Sequence, residues 1–293
     1  ICSELVRPGM VTSALRTDLN SDGQQELIIA GEWMPILVFQ RKDGKLVNVT
    51  SAFFEKPLSG WWNTLAAADL NGDGKPDLIA GNMGLNTQFK AGVETPLEMY
   101  YKDFDNNGTL DPVFSFYIQG KRYPFVTLDE LAYQMPSFRK KYSTFKSYAD
   151  VTLDDLLPAS LTNDAGHLKA DHMATSVFLS AADGKFRQPV LPREVQYSPV
   201  NTAEVLDVNN DGHPDLVLAG NNNRMKIRLG KSDANYGILL MGDGKGNFLY
   251  VPQKESGFNI RGEVKSSTRI NDKIYFGISE KGIVTYSLIN ASK

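Results

Sequence analysis

Asp69-Leu-Asn-Gly-Asp-Gly-Lys-Pro-Asp77 runs straight into the apolar stretch LIAGNMG. The same arrangement recurs at Asp18-Leu-Asn-Ser-Asp-Gly-Gln-Gln-Glu26 before LIIAGEW and at Asp207-Val-Asn-Asn-Asp-Gly-His-Pro-Asp215 before LVLAGNN. A fourth copy, Asp103-Phe-Asp-Asn-Asn-Gly-Thr-Leu-Asp111, precedes PVFSFY. Short β-like runs also lead into each copy: VTSALRT, NTLAAA, LEMYYK and TAEVL. Short apolar runs separated by turn residues argue for sheet over helix. Working outward, VFQRKDGKLVNV, VFLSAADGKFRQP and LLMGDGKGNFLYV each place an Asp-Gly turn between two β-like runs, the signature of a hairpin.

Strand, acidic loop, strand, connection and hairpin make a four-stranded antiparallel unit. Such units cannot bury both faces alone and must stack, and the radial solution is a β-propeller. The expected fold is therefore all-β. About five blades are visible: Met10 to Lys56, Gly60 to Lys90, one starting near Pro96, one centred on Asp207, and a last one, IRGEVKSSTRINDKIYFGISEKGIVTYSL, without an acidic loop. Five could close by themselves or form part of a seven-bladed ring. Residues 1–293 are read as one propeller domain or propeller fragment. From Thr127 to Leu157 the pattern turns helical, with Thr127 and Glu130 at capping-box spacing and Thr152 and Asp155 in the related acidic form. This stretch reads as a helical insertion (127–157) within the third blade, with VFLSAADGKF returning to that blade after it. Its Arg139-Lys140-Lys141 cluster reads as a solvated helix face.

Positions 1, 3, 5 and 9 of each acidic loop supply carboxylate or amide oxygens and position 7 a backbone carbonyl, the hard ligands that calcium takes. Position 6 is glycine in every copy: Gly23, Gly74, Gly108 and Gly212. The expected side-chain ligands are Asp18, Asn20, Asp22 and Glu26; Asp69, Asn71, Asp73 and Asp77; Asp103, Asp105, Asn107 and Asp111; and Asp207, Asn209, Asp211 and Asp215. Gln24, Lys75, Thr109 and His213 would give their carbonyls. An EF-hand shares this opening but needs a glutamate at position 12, where this chain has Ile29, Ala80, Phe114 or Leu218. Up to four structural Ca2+ sites are expected, with Glu26 standing where the other loops have aspartate.

These residues resemble FG-GAP/VCBS repeats, the calcium-loop blades of integrin α-subunit propellers. RPGMVTSAL, LIIAGEWMPILVF, GWWNTLAAADLNGDGKPDLIAGNMGLNTQF, DFDNNGTLDP, GKRYPF followed by LDEL, and SDANYGILLMGDGKGNF are similar to the ASPIC/UnbV group of bacterial proteins related to cartilage acidic protein 1. The resemblance implies a secreted or cell-surface propeller, on the exterior of a bacterial outer membrane or in the periplasm. It would bind a protein or glycan, tethered to or built into a larger envelope assembly. The segment beginning Ile1-Cys2-Ser3-Glu4 has no signal-peptide pattern, so the chain is expected to be mature or a fragment of a longer one.

A net charge of −3 gives no field toward nucleic acid, and no apolar run reaches membrane-spanning length. A propeller builds its shared site on one face of the ring. Residues following the Ala-Gly pairs, Glu32, Trp33, Asn82, Asn86, Asn221, Asn222 and Arg224, are expected there, joined by Trp61, Trp62, Asn63, Gln196 and Tyr197 from loops entering the next blade. Indoles beside amides and an arginine suit stacking on sugars or gripping an extended polypeptide, and packing between blades is the competing role for the tryptophans. Recognised catalytic motifs are absent, and the Ser-x-x-Lys matches at Ser137/Lys140 and Ser143/Lys146 have no supporting motif. The expected role is binding or scaffolding. The alternative is a glycan-cleaving propeller enzyme using Glu32 or Glu263.

Overall fold

The computed structural model describes residues 2–288. Strands dominate. In chain order they are β1 (Met10–Thr17), β2 (Glu26–Pro35), β3 (Leu37–Lys42), β4 (Lys45–Asn48), β5 (Ser59–Trp61), β6 (Thr64–Ala68) and β7 (Asp77–Gly81), with the short helix α1 (Thr50–Phe53) after β4. Next come β8 (Leu97–Lys102), β9 (Asp111–Ile118) and β10 (Lys121–Pro124), then the helices α2 (Leu128–Gln134), α3 (Ser137–Lys141), α4 (Phe145–Tyr148), α5 (Leu153–Leu156) and α6 (Ala159–Thr162). The chain continues through β11 (Gly166–Ala170), β12 (Ser176–Ser180), β13 (Phe186–Arg187), β14 (Val200–Leu206), β15 (Asp215–Gly220), β16 (Ile238–Gly242) and β17 (Phe248–Val251). It ends with β18 (Val264–Ile270), β19 (Lys273–Ile278) and β20 (Gly282–Ser287).

Where the sequence suggests one domain, the chain divides into two compact units: residues up to Asn86 together with those from Met173 onward, and Thr87–His172. The first unit holds sheets ordered β1-β2-β3-β4 (with β5 on the far end of β2), β13-β12-β7-β6, β14-β15-β16-β17 and β18-β19-β20. All pairings are antiparallel. The second sheet corrects the sequence reading: VFLSAADGKF does not return to the third blade. Its strand β12 pairs with β7, Leu78 opposite Phe178. A hairpin carries the same local signals whichever sheet receives it, so only the long-range pairing reveals the nesting.

Side-chain alternation explains how these sheets stack. In β7, Leu78 and Ala80 join Ile28, Val38, Trp62 and Phe178 in one core, while Ile79 faces the other way, into a core with Val200, Leu216, Leu218 and Ile238. In β15, Leu216 and Leu218 belong to that second core, and Val217 and Ala219 to a third with Val264, Ile274 and Phe276. The sheets of β7 and β15 are thus apolar on both faces, and each shares a core with its neighbours. Polar ties run between successive first strands. Thr12 Oγ1 donates to Trp62 O at 2.7 Å, Leu65 N to Ser13 Oγ at 3.0 Å, and Asn201 Nδ2 to Val264 O at 2.8 Å.

The recurrent Ala-Gly pair also has a steric cause. β1, β14 and β18 each carry a bulge near their starts, between Val11 and Ser13, Val200 and Thr202, and Val264 and Ser266. Gly31 lies opposite Val11 and Gly220 opposite Val200. A Cβ at Gly31 would stand 2.0 Å from Met10 O, and one at Gly220 would stand 1.9 Å from Pro199 O. Only a residue without a side chain fits beneath the bulged strand.

The second unit is a sheet ordered β10-β9-β8-β11, with helices α2 to α6 inserted between β10 and β11. Leu128, Leu131, Met135, Leu153 and Leu156 pack with Val113 into its core. Thr127 with Glu130 and Thr152 with Asp155 form the expected capping boxes, and Thr144 with Ser147 forms another. Phe89 meets Phe114, Phe116 and Phe125 at ring-centroid distances of 5.0, 5.6 and 5.2 Å.

Replacing Gly220→Ala should cost about 1–3 kcal/mol, since backbone must move to admit the methyl. Gly92→Ala, whose nearest neighbour would be Thr95 Oγ1 at 3.6 Å, should stay within about 0.5 kcal/mol of the parent. Urea unfolding of the two variants beside the parent checks this, and equal midpoints would refute the steric account.

Candidate metal loops

The four acidic loops share one backbone frame. At position 1, the two carboxylate oxygens of Asp18 accept from Asp22 N at 3.0 Å and Gly23 N at 2.8 Å. Asp69 receives Asp73 N and Gly74 N at 3.2 and 2.8 Å, Asp103 receives Asn107 N and Gly108 N at 3.0 and 2.8 Å, and Asp207 receives Asp211 N and Gly212 N at 3.1 and 2.9 Å. The position 7 amides of Gln24, Lys75, Thr109 and His213 donate to the position 5 side chains at 2.8, 2.9, 2.8 and 2.8 Å. Positions 4 and 6 are left-handed throughout: Ser21 and Gly23, Gly72 and Gly74, Asn106 and Gly108, Asn210 and Gly212. Asn and Gly tolerate that region, which accounts for the composition of these turns.

Position 9 is where the loop meets its strand. Glu26, Asp77, Asp111 and Asp215 are all fully buried, at 0 % exposure. One oxygen of each accepts the position 2 amide: Leu19 N at 2.8 Å, Leu70 N at 2.7 Å, Phe104 N at 3.0 Å and Val208 N at 2.8 Å. The second oxygen divides the loops. Asp77 Oδ1 accepts Ser180 N at 2.6 Å, and Asp215 Oδ1 accepts Gly242 N at 2.9 Å. Glu26 Oε1 and Asp111 Oδ1 are buried and have no hydrogen-bond partner among the described residues, and the same holds for Asp105 Oδ1.

An orphaned, buried carboxylate oxygen is costly unless something cationic or hydrogen-bonding reaches it. In the third loop the oxygens of Asp103, Asp105 and Asp111 lie within 4.8 Å of one another. Hard oxygen donors gathered at this spacing fit a divalent cation such as calcium, which would supply the missing positive charge. Burial pushes Glu26, Asp77, Asp111 and Asp215 above the usual carboxylate range, and the neighbouring carboxylates add to it: Asp22 and Asp18, Asp73, Asp105 and Asp103, and Asp211 and Asp207 respectively. The amides donated to them act in the opposite direction and do not cancel the burial.

The residues expected to bind an organic ligand scatter. Trp62 is a correction: its ring is fully buried beside Phe178, with Nε1 donating to Leu58 O at 3.2 Å, so packing claims it and stacking on a sugar is closed to it. Asn82 and Asn221 are corrected likewise. Asn82 is fully buried and its Oδ1 accepts Met83 N at 2.8 Å, while Asn221, 2 % exposed, ties Asn235 to Gly262 through its amide. Asn63 is half-buried and donates its backbone N–H to Gly81 O. Trp33 and Trp61 meet edge to face at 5.2 Å, both half-buried, with Trp33 at φ 60° beside exposed Glu32. Arg224 is exposed and pairs with Glu280 at 2.6 Å, while its backbone N–H donates to Asn222 Oδ1. Glu263, the other acid of the enzyme alternative, is buried and paired with Lys265 at 2.6 Å.

Asn86 and Tyr197 do come together. Asn86 Nδ2 donates to Tyr197 O at 3.1 Å, and both line a shallow cleft of about 620 Å³ with Leu85, Leu191, Arg193 and Gln196. Gln196 anchors the cleft, its carbonyl accepting Leu85 N and Asn86 N and its side chain bonding Thr175 in both directions. Gln196, expected beside Tyr197, holds the site together chiefly through its backbone carbonyl. The loop-closing groups Ser180 and Gly242 were beyond the sequence reading, because their contribution is a main-chain N–H from a third strand.

The pH response of the cation-free protein follows from the buried carboxylates. Their folded-state affinity for protons exceeds that of the unfolded chain, so they contribute stability below the ordinary carboxylate range and lose it as pH rises through the raised one. With a chelator present, the melting temperature should therefore rise as pH falls from neutrality toward the ordinary carboxylate range. With calcium in excess the trend should invert, because protons then compete with the ion. Differential scanning fluorimetry across that range in both media is the check.

No curated protein sequence matches the chain. A family model described as FG-GAP-like repeat matches residues 18–80, the segment that carries the first two acidic loops and the strands leading out of each.

Proposed function

We propose that this chain is a calcium-stabilised propeller module of the FG-GAP/VCBS kind, similar to the ASPIC/UnbV propellers, that binds a protein or glycan outside the cytoplasm and performs no catalysis. The observation that carries the reading is one loop frame repeated four times, each closed on a fully buried position 9 carboxylate, with orphaned oxygens in two copies. Apolar sheets that share cores with their neighbours, and first strands tied side by side, support radial stacking. The match to an FG-GAP-like repeat adds a family in which repeats of this type serve as binding modules. No helix among the described residues is long and apolar enough to cross a membrane. Extracellular calcium modules work at about 10⁻⁴ to 10⁻³ M, which is why a location outside the cytoplasm suits such loops.

The ligand surface assigned in this reading is the cleft beside Asn86 and Tyr197, with the Trp33–Trp61 pair as a second contact in the same unit. An exposed tyrosine and an arginine over an anchored loop suit recognition of a polar, ring-bearing or extended ligand.

Chelation should lower the melting temperature by at least about 5 °C, as expected when bound ions contribute a few kcal/mol. Calcium should restore it and magnesium should restore it less, since its octahedral demand fits these loops poorly. An unchanged melting curve would overturn the calcium assignment. Tyr197→Ala should keep the parent melting temperature yet lose at least about tenfold in affinity for whichever glycan or protein the parent captures on an array, a deficit of about 1.4 kcal/mol. Release of oligosaccharide by the parent protein would instead establish the enzyme alternative.

A further inference from the structure

The four loops are alike in frame and unlike in how position 9 is finished. In the sheets containing β7 and β15, a third strand pairs as far as the residue after position 9, Leu78 and Leu216, and an amide at its end closes the carboxylate: Ser180 N on Asp77 and Gly242 N on Asp215. In the second unit the corresponding strand stops short. β10 pairs with β9 only from Ile118 back to Ser115, and Phe125 N extends the contact to Phe114 O. Asp111, three residues further on, is bordered on that side by α2, whose Gln134 amide approaches the carboxylate but donates to Pro112 O at 3.4 Å. Asp111 Oδ1 is thus buried and unpartnered among the described residues, as is Asp105 Oδ1 beside it. The first loop is intermediate: β3 pairs as far as Leu27, yet Glu26 Oε1 is orphaned too, and asparagine, not aspartate, stands at its position 3.

We infer that the loops are not equivalent: the third, Asp103–Asp111, takes a divalent cation first and at least tenfold more tightly than the loops closed by Ser180 and Gly242. This deepens the calcium reading proposed above and rests on it. The position 1 hydrogen bonds and left-handed turns order the backbone in all four loops, and among the described residues the third lacks only the bond from the position 5 N–H to the position 3 side chain that the other three make. What differs is the state the ion relieves. In the second and fourth loops an N–H already satisfies both closing oxygens, so the ion adds to a settled group. In the third it meets three carboxylate side chains whose oxygens lie within 4.8 Å of one another, two with an unsatisfied buried atom. More repulsion and more lost solvation are recovered there on binding. Because this loop joins β8 to β9, its ion also governs the sheet of the second unit.

The test is calorimetric titration of the full chain with calcium alone, beside Asp111→Asn, Asp105→Asn and Asp215→Asn. Asp105→Asn places at position 3 the residue that the other three loops carry naturally, so it is the variant expected to fold normally even if Asp111→Asn does not. The parent should show a tight step well separated from weaker ones. That step should weaken at least tenfold in Asp105→Asn and vanish in Asp111→Asn, and survive in Asp215→Asn. Hydrogen exchange gives an independent readout: under chelation, protection should be lost first in β8 and β9 and later in β14 and β15. A tight step that survives Asp105→Asn, or disappears in Asp215→Asn, overturns the ranking while leaving calcium binding intact. Absence of any calcium binding by the parent overturns both the ranking and the reading beneath it.

Discussion

A carboxylate buried at the base of each acidic loop, accepting the amide of the residue seven positions earlier, is the contact on which the repeat turns. It spans 2.7 to 3.0 Å in all four copies and joins the second residue of the loop to the first residue of the outgoing strand. The loop is thereby closed on itself before the strand begins, which fixes where the pleat starts and hence which residues face each neighbouring core. Shifting that start by one residue would exchange the faces of β7, sending Leu78 and Ala80 into the core that Ile79 occupies. The same contact removes a charged group from water. A fold that uses a buried carboxylate as a hinge pin must supply either hydrogen-bond donors or a positive charge, and the four loops divide along that choice.

Much of this was legible in the residues. Nine-residue spacing, glycine at position 6 and the apolar run after position 9 locate the loops and strands, because turn geometry and pleat periodicity are local properties. The Asp-Gly hairpins were equally readable: Asp43 and Gly44 both adopt positive φ in a two-residue connection between Lys42 and Lys45. The capping boxes of the helices, too, are encoded within four residues. What the sequence could not carry is partnership. VFLSAADGKF is a good hairpin wherever it lies, and nothing within it names β7 as its neighbour. The amides of Ser180 and Gly242 are invisible for a related reason, since every residue but proline has one.

The candidate ligand residues were less legible than the backbone of the acidic loops, and the cause is physical. Aromatic and amide side chains serve both packing and recognition, so residue type alone does not sort them. Trp62 has a fully buried ring and a satisfied indole, which is the packing solution. Asn82 and Asn221 spend their amides on backbone groups where the chain leaves a strand, giving main-chain polar atoms partners that no strand supplies there. Asn86 and Tyr197 remain exposed on an anchored turn, and they define a cleft because Gln196 holds two backbone segments together beneath them.

The nesting of Thr87–His172 between β7 and β12 carries a consequence for how the chain must fold. β7 leaves the ribosome well before the strand that will cover its open edge, and until β12 arrives that edge offers unpaired amides and an apolar face to anything nearby. Joining Ala80 to Ser176 across a disordered intervening segment would be slow, because the closure entropy of a long loop must be met before any contact compensates it. If the nested unit collapses first, the effective loop shrinks to the gap between its ends, where Gly84 N already bonds Met173 O at 2.8 Å. In that order of events the inserted sheet would act as an intramolecular splint, and its formation would set the interval during which the nascent protein is exposed to misassociation.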